Sequence, residues 1–186
     1  PNTAVRVRAI PVEPDRTRAP RRLARDAVAV AVADEGEGIV REHLPRLLAM
    51  KAAGQLRYVG ISTSEGRRHA ELEDIMRTQP IDFVQLTYNL LDREVEQRLL
   101  PLAQERRIAV MVNRPFREGA LLDQLSRHPL PGWAREIDCD GWAQVALKFA
   151  VSHPAVTCAI PATSQVAHVR QNMSAARGRM PDAALR

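Results

Sequence analysis

The chain carries 186 residues, 45% hydrophobic but only 4% aromatic, so a domain with a core of Val, Leu, Ile and Ala is expected. No apolar run reaches the roughly 20 residues that cross a bilayer, the first residues lack the apolar centre of a signal peptide, and the two cysteines, Cys139 and Cys158, show no metal-ligand spacing; a cytoplasmic setting and no membrane partner are expected. The net charge of +5 sits mostly at one end, because residues 1–26 hold seven Arg (6, 8, 16, 18, 21, 22 and 25) against Glu13, Asp15 and Asp26, and the rest of the chain is close to neutral.

Residues 1–26 read as an irregular arm, since Pro1, Pro11, Pro14 and Pro20 interrupt any helix or central strand. An Arg-rich arm can meet nucleic-acid phosphates. This one lacks interleaved aromatics and helical periodicity, so no nucleic-acid partner is expected. Lys occurs only at Lys51 and Lys148, so Arg dominates the whole chain and not the arm alone. The low-complexity run Asp26–Ala33 is compatible with a strand over 27–33, and Asp34–Gly38 reads as a turn.

The texture changes at Ile39. Val40, Leu44, Leu47, Leu48 and Met50 share a helical stripe that Gly54 closes. Leu56–Ile61 reads as a strand with Ser62–Gly66 as its exit loop, Arg67–Arg77 as a helix, Phe83–Leu86 as a strand and Asp92–Arg106 as one helix. Ile108–Val112 is a near-continuous apolar run, the pattern of a parallel strand covered on both faces. Asn113–Ile137 reads as a long loop holding a short helix around Gly119–Arg127, and Trp142–Val151 as a helix. Alternating strands and helices at this spacing mean βα units and a parallel sheet.

The stretch His153–Asn172 closes the pattern. Ala155–Ile160 suits a strand that Pro161 stops, and Thr163 or Ser164 suits the cap of a following helix. Unpaired N–H groups at such a helix start attract phosphate. An ordinary capped βα connection explains the same residues.

Four motifs in register, GQLRYVGIS (54–62), FVQLTYNLLDREVE (83–96), VNRPFREGALL (112–122) and HPAVTCAIPATSQVAHVRQN (153–172), resemble the aldo-keto reductases. That family folds as an eight-stranded (β/α)8 barrel and uses NADP(H). The resemblance covers residues 39–186 and maps onto the C-terminal half of the barrel. It implies an α/β fold with a partial TIM barrel of four to five βα units, preceded by an N-terminal arm over 1–38. It also implies that Ser62, Thr63 and Gln85 meet the nicotinamide amide, with Thr63 standing where the family often has Asn. Asn113 stands where many members stack a Tyr on the nicotinamide. Arg114, Pro115 and Phe116 would line the pyrophosphate path. Pro161, Ala162, Thr163 and Ser164 would meet the 2′-phosphate and ribose. His168 stands where some members carry an Arg for that phosphate, and Gln171 and Asn172 match the pair that meets adenine.

The family's catalytic Tyr, Lys, Asp and His belong to the other half of the barrel. The strand at 27–33 runs into Asp34 and Glu35 with no His, and the two tyrosines, Tyr58 and Tyr88, lie inside later motifs. No catalytic residue is therefore carried over. The resemblance implies NADPH-dependent reduction of an aldehyde or ketone, with this chain keeping the cofactor loops and inactive alone. The alternative is a non-catalytic nucleotide-binding or assembly module.

A complete (β/α)8 barrel takes about 250 residues. Half of one has open sheet edges and exposed interior side chains. Three expectations arise: part of a longer or split protein with a complementary half-barrel chain, self-association of two copies, or a truncated remnant whose sequence changes character near Ile39. Several residues also have plain structural readings. Gln85 suits a buried hydrogen bond, Asn172 a bond to the preceding loop, His153 a turn, Arg114 a structural ion pair and Cys158 a small buried side chain. Trp133 and Trp142 suit a cover over the long loop or the lining of an entrance.

Overall fold

The computed structural model describes residues 28–32, 39–63, 66, 68–182 and 184–185; the Arg-rich arm over 1–26 and the turn read at 34–38 lie outside the described residues. Five strands form one parallel sheet in sequence order: β1 (Val28–Val32), β2 (Tyr58–Ser62), β3 (Phe83–Thr87), β4 (Ala109–Asn113) and β5 (Cys158–Ala159). Every neighbouring pair is parallel. Sequential parallel strands joined through helices are how a barrel wall is built. The strand read over 27–33 is β1, which pairs along its length with β2 from Val28 opposite Tyr58 to Val32 opposite Ser62.

The side-chain alternation of each strand sorts the two faces of the sheet. Val59, Ile61, Val84, Leu86, Val110 and Val112 are buried in one core with Leu72, Ile75 and Met76 of α2 (His69–Thr78) and Leu99, Leu100 and Leu102 of α3 (Leu99–Arg106). On the opposite face Phe83, Ala109 and Met111 form a separate small cluster. Gly60 lies opposite Phe83 in register. A Cβ at Gly60 would lie 2.6 Å from the Phe83 ring, and nearer still to its carbonyl oxygen, so only glycine allows this approach.

Two helices differ from the sequence reading, and proline explains both. The stripe starting at Ile39 is a π-helical turn (Ile39–His43) followed by α1 (Leu44–Ala52), with Pro45 in the first turn of α1. The helix read over Asp92–Arg106 is a short 3-10 turn at Glu94–Glu96 and then α3, with Pro101 in the first turn of α3. A proline further inside either helix would clash with the carbonyl four residues back, so each helix starts just before its proline. The Asn89–Asp92 turn is closed by the Asn89 carboxamide, whose Oδ1 accepts the Leu91 and Asp92 N–H groups at 2.9 and 3.0 Å.

The long connection after β4 is not irregular. It holds a 3-10 turn at Arg117–Gly119, α4 (Ala120–Leu125) and a further 3-10 turn at Gly132–Ile137. Trp133 and Trp142 pack there on Ala134, Ile137, Cys139 and Val145, and the Trp142 Nε1 donates to the His128 carbonyl at 3.0 Å. The two indoles thus cover this connection. After α5 (Trp142–Val151), His153 takes its turn role: its Nδ1 accepts the Ala155 N–H at 3.1 Å. Strand β5 is shorter than read, two residues paired with Met111 and Val112. The Thr157 and Ile160 N–H groups extend the ladder by donating to the Val110 and Val112 carbonyls, each at 2.9 Å. The last helix is α6 (Val166–Ser174).

Candidate functional site

All five strands point their C-terminal ends the same way, and the polar residues at the ends of β2, β3 and β4 meet there. Asn113, at the end of β4, is buried. Its Nδ2 donates to the Thr63 carbonyl beyond β2 at 2.7 Å, and its Oδ1 accepts the Thr87 hydroxyl of β3 at 2.7 Å. One carboxamide thus braces the ends of three strands. Ser62 and Thr63 are buried beside it, and the Thr63 N–H donates to the Gln85 carbonyl at 2.8 Å. The Gln85 side chain is half-buried, on the same face of β3 as Phe83 and Thr87. Cys158, opposite Met111 in register, is half-buried rather than fully buried, and desolvation pushes its thiol above the ordinary range.

Next to this mouth lies a cavity of about 660 Å³, within the range of small-molecule sites. Nine of the residues singled out in the sequence line it: Arg114, Pro115, Phe116, Pro161, Ala162, Thr163, His168, Gln171 and Asn172. They come from the loop after β4, the loop after β5 and one face of α6. Ser62, Thr63, Gln85 and Asn113 lie outside that lining, at the strand ends, and Ser164 is exposed and also outside it. Glu118, Asp123 and Ala143 line the cavity too and were not singled out. Only Glu118 left a signal in the sequence, as an acid four residues after Arg114. The two pair at 3.2 Å, so Arg114 serves a structural ion pair and the cavity wall together.

The loop after β4 is held in an uncommon backbone conformation. Arg114, Arg117 and Glu118 all have positive φ (49°, 49° and 59°), as does Gly119 at 103°. Such a run of left-handed residues costs free energy at each non-glycine position and persists where the surroundings fix it. Here Asn89 Nδ2 donates to the Arg114 carbonyl at 3.2 Å, and Arg117 Nε pairs with Asp92 at 3.3 Å. The Asn89–Asp92 turn therefore fixes the wall that carries Arg114–Phe116.

At the other wall α6 starts later than the sequence suggested. Neither Thr163 nor Ser164 is the residue flanking the helix; Gln165 is, and the Thr163 hydroxyl accepts its N–H at 3.1 Å. Thr163 Oγ1 also lies 3.5 Å from His168 Nδ1, one turn into α6. A hydroxyl, an imidazole and the two carboxamides of Gln171 and Asn172 therefore face a common space with the guanidinium of Arg114, while Phe116, Leu122, Ile160 and Pro161 supply apolar wall. Among the described residues no group of three or more His, Cys, Asp or Glu stands close enough to hold a metal. Nor is any helix among them long and apolar enough to cross a membrane.

A model of the family described as "Aldo/keto reductase family" matches residues 21–185. The chain belongs to the aldo/keto reductase family. Among curated relatives, an NADH-specific methylglyoxal reductase of Escherichia coli (strain K12) is 29% identical over 96 residues, which are 52% of this chain and 28% of that protein. Among solved structures, an aldo/keto reductase from Klebsiella pneumoniae in complex with NADP and acetate is similar at 25% identity and a TM-score of 0.68, over 85% of this chain and 56% of that one. Aldo-keto reductase AKR11C1 from Bacillus halodurans shares the fold at 24% identity and a TM-score of 0.68, over 86% of this chain and 59% of that one. The chain spans about half the length, or less, of the curated relatives it matches. The five-stranded parallel sheet is thus part of the (β/α)8 wall of the reductase fold, and the cavity lies at the C-terminal ends of its strands, where barrel enzymes of this type place their sites.

Proposed function

We propose that this aldo/keto reductase chain binds NADP(H) in the cavity and supplies the cofactor-holding part of a carbonyl reductase. The observation that carries the reading is the meeting of two distant segments, 114–116 and 161–172, around one cavity of about 660 Å³. Donors on both walls, interleaved with apolar surface, suit a nucleotide. Thr163, His168, Gln171 and Asn172 hold its adenosine end and Arg114, Pro115 and Phe116 its pyrophosphate, while Ser62, Thr63 and Gln85 at the strand ends hold the nicotinamide amide. Asn113 braces those strand ends instead of contacting the ring. Relatives support both nicotinamide nucleotides: the Klebsiella protein was solved with NADP, and one Escherichia coli relative is named as NADH-specific.

When bound, NADPH supplies a hydride to a carbonyl carbon. The carbonyl oxygen must then receive a proton from a positioned acid. In the reductases this chain resembles that acid is a Tyr, and residues 1–186 hold two. Tyr58 opens β2, at the end of the strand far from the cavity, and the Tyr88 side chain is buried with its hydroxyl donating to Glu96 Oε1 at 2.5 Å. Neither serves the seat. These residues therefore bind the nucleotide without reducing a carbonyl by themselves, and a reductase built on them takes its proton donor from another segment. The two free thiols fit a reducing, cytoplasmic setting.

The test is to add NADPH and then methylglyoxal or another aldehyde to the purified chain. Saturable nucleotide binding without loss of NADPH absorbance is expected. No binding at millimolar nucleotide overturns the cofactor seat, and turnover at ordinary enzyme rates overturns the missing proton donor. A second reading, an assembly module needing a partner chain or a second copy, is favoured by the outward apolar residues Val166, Val169 and Met173 of α6, which are 70%, 46% and 65% exposed. Light scattering of the purified chain distinguishes it: a concentration-dependent dimer supports it, and a strict monomer argues against self-association.

A further inference from the structure

Helix α6 brings His168, Gln171 and Asn172 to the cavity, yet none of its side chains is buried. Burial of apolar surface is the usual force that seats a helix, so a nine-residue helix without it needs another attachment. That attachment comes from α5. Gln144 and Lys148 stand one turn apart on α5, and both are buried. Gln144 Oε1 accepts the Asp140 N–H at 2.6 Å, which fixes the carboxamide. Its Nε2 donates to Ser174 Oγ at 2.6 Å, and the Ser174 hydroxyl donates in turn to the Gln171 carbonyl at 2.6 Å. Gly141, just before α5, leaves room for this seam, because a Cβ there would lie 3.0 Å from Gln171 Nε2. Lys148 pins the segment beyond α6: its Nζ donates to the Ile137 carbonyl at 2.6 Å and the Arg179 carbonyl at 2.7 Å.

We infer that Gln144, acting through Ser174, is a positioning residue that sets Gln171 and Asn172 against the nucleotide, with Lys148 as the second anchor of the same seam. The inference rests on the cofactor reading above. It makes the adenosine end of the seat depend on a polar relay in α5 that touches no ligand. A burial-based attachment would tolerate sliding of α6 along α5. A two-bond relay fixes one register, because each hydroxyl and carboxamide bond is directional.

The experiment uses the full chain and three probes: NADP+, 2′-phosphoadenosine 5′-phosphate for the adenosine end, and nicotinamide mononucleotide for the other. The variants are Ser174→Ala, Gln144→Leu and the hydroxyl-keeping Ser174→Thr. Ser174→Ala and Gln144→Leu are expected to weaken NADP+ and the adenosine probe by about tenfold, the cost of one or two hydrogen bonds. Nicotinamide mononucleotide affinity stays at the wild-type value, the melting temperature falls by no more than about 4 °C, and Ser174→Thr binds like wild type. Unchanged affinity in both loss variants overturns the inference. So does equal weakening of all three probes in step with a lower melting temperature, which is the mark of a merely structural role. A wild-type chain that binds neither NADP+ nor the adenosine probe fails the cofactor reading itself, and that result is visible before any variant is made.

Discussion

Replacing Asn113 by Ala separates two roles for the residue, a brace between strands and a contact to the cofactor. The side chain is 7% exposed and makes two bonds of 2.7 Å, to the Thr63 carbonyl and from the Thr87 hydroxyl. Each such bond contributes about 0.5–1.5 kcal/mol net. Losing both, with a small void at the strand ends, gives a destabilisation of about 2 kcal/mol. In urea, at a slope of about 1–3 kcal/mol per molar, the midpoint moves down by about 1 M with the slope itself unchanged. Trp133 and Trp142 fluorescence and far-ultraviolet dichroism read the transition. Asn113→Asp sharpens the test. The Thr87 hydroxyl still donates to a carboxylate, but the carboxylate then faces the Thr63 carbonyl across 2.7 Å with no proton between them. At neutral pH this variant is less stable than the Ala variant; the penalised carboxylate titrates above the unfolded value of about 4, so stability returns as pH falls through that raised folded value and is fully recovered below about 4, where a protonated Asp can donate. An Asn113→Ala chain of wild-type stability that no longer binds NADP+ would refute the bracing role.

Gly60→Ala forces a Cβ to within 2.6 Å of the Phe83 ring and closer to its backbone oxygen, which cannot move away without displacing β3; a loss of about 3 kcal/mol or more in urea unfolding is expected, and a variant as stable as wild type contradicts the packing described. Glu73 is held below the usual carboxylate range, chiefly by its hydrogen bond to Arg77, with Arg98 adding to the effect against desolvation. Its contribution is therefore complete above the unfolded-state value of about 4.3 and disappears as pH falls through the lower folded value. Glu73→Gln is less stable than wild type at neutral pH, and the two melting curves converge in acid; a gap that persists in acid refutes the ion-pair origin. Burial raises both thiols, Cys139 also feeling Lys148, which lowers it, and Asp138 and Asp140, which raise it. Alkylation by iodoacetamide at mildly alkaline pH is accordingly slower than for a free thiol, with Cys158 modified before the 1%-exposed Cys139; fast labelling of Cys139 contradicts this placement.

The strands were legible in the sequence because their signals are local, whereas the residues around the cavity were reached through the family resemblance. Val59, Ile61, Val84, Leu86, Val110 and Val112 announce strands by composition, and the segments 114–116 and 161–172 each carry their residues within a few positions of one another. The helix starts at Leu44 and Leu99 were also written locally, in Pro45 and Pro101, but the apolar stripe masks them. The illegible features are those that depend on distance. The Asn113 brace joins positions 63, 87 and 113, and Lys148 reads as an ordinary surface lysine until the carbonyls of Ile137 and Arg179 close on it. Thr163 looks like a helix cap, yet its hydroxyl takes the Gln165 N–H and the helix opens one residue further on, at Val166.

Hydrogen–deuterium exchange with and without saturating NADP+ locates the nucleotide on the chain directly. Slower exchange at residues 114–119 and 160–172 and at the strand ends around Ser62, Thr63 and Gln85, with the 3-10 turn at Glu94–Glu96 unchanged, is the predicted result. Protection elsewhere, or none at a nucleotide concentration that gives a binding signal, would contradict the placement of the cofactor seat in this half of the barrel.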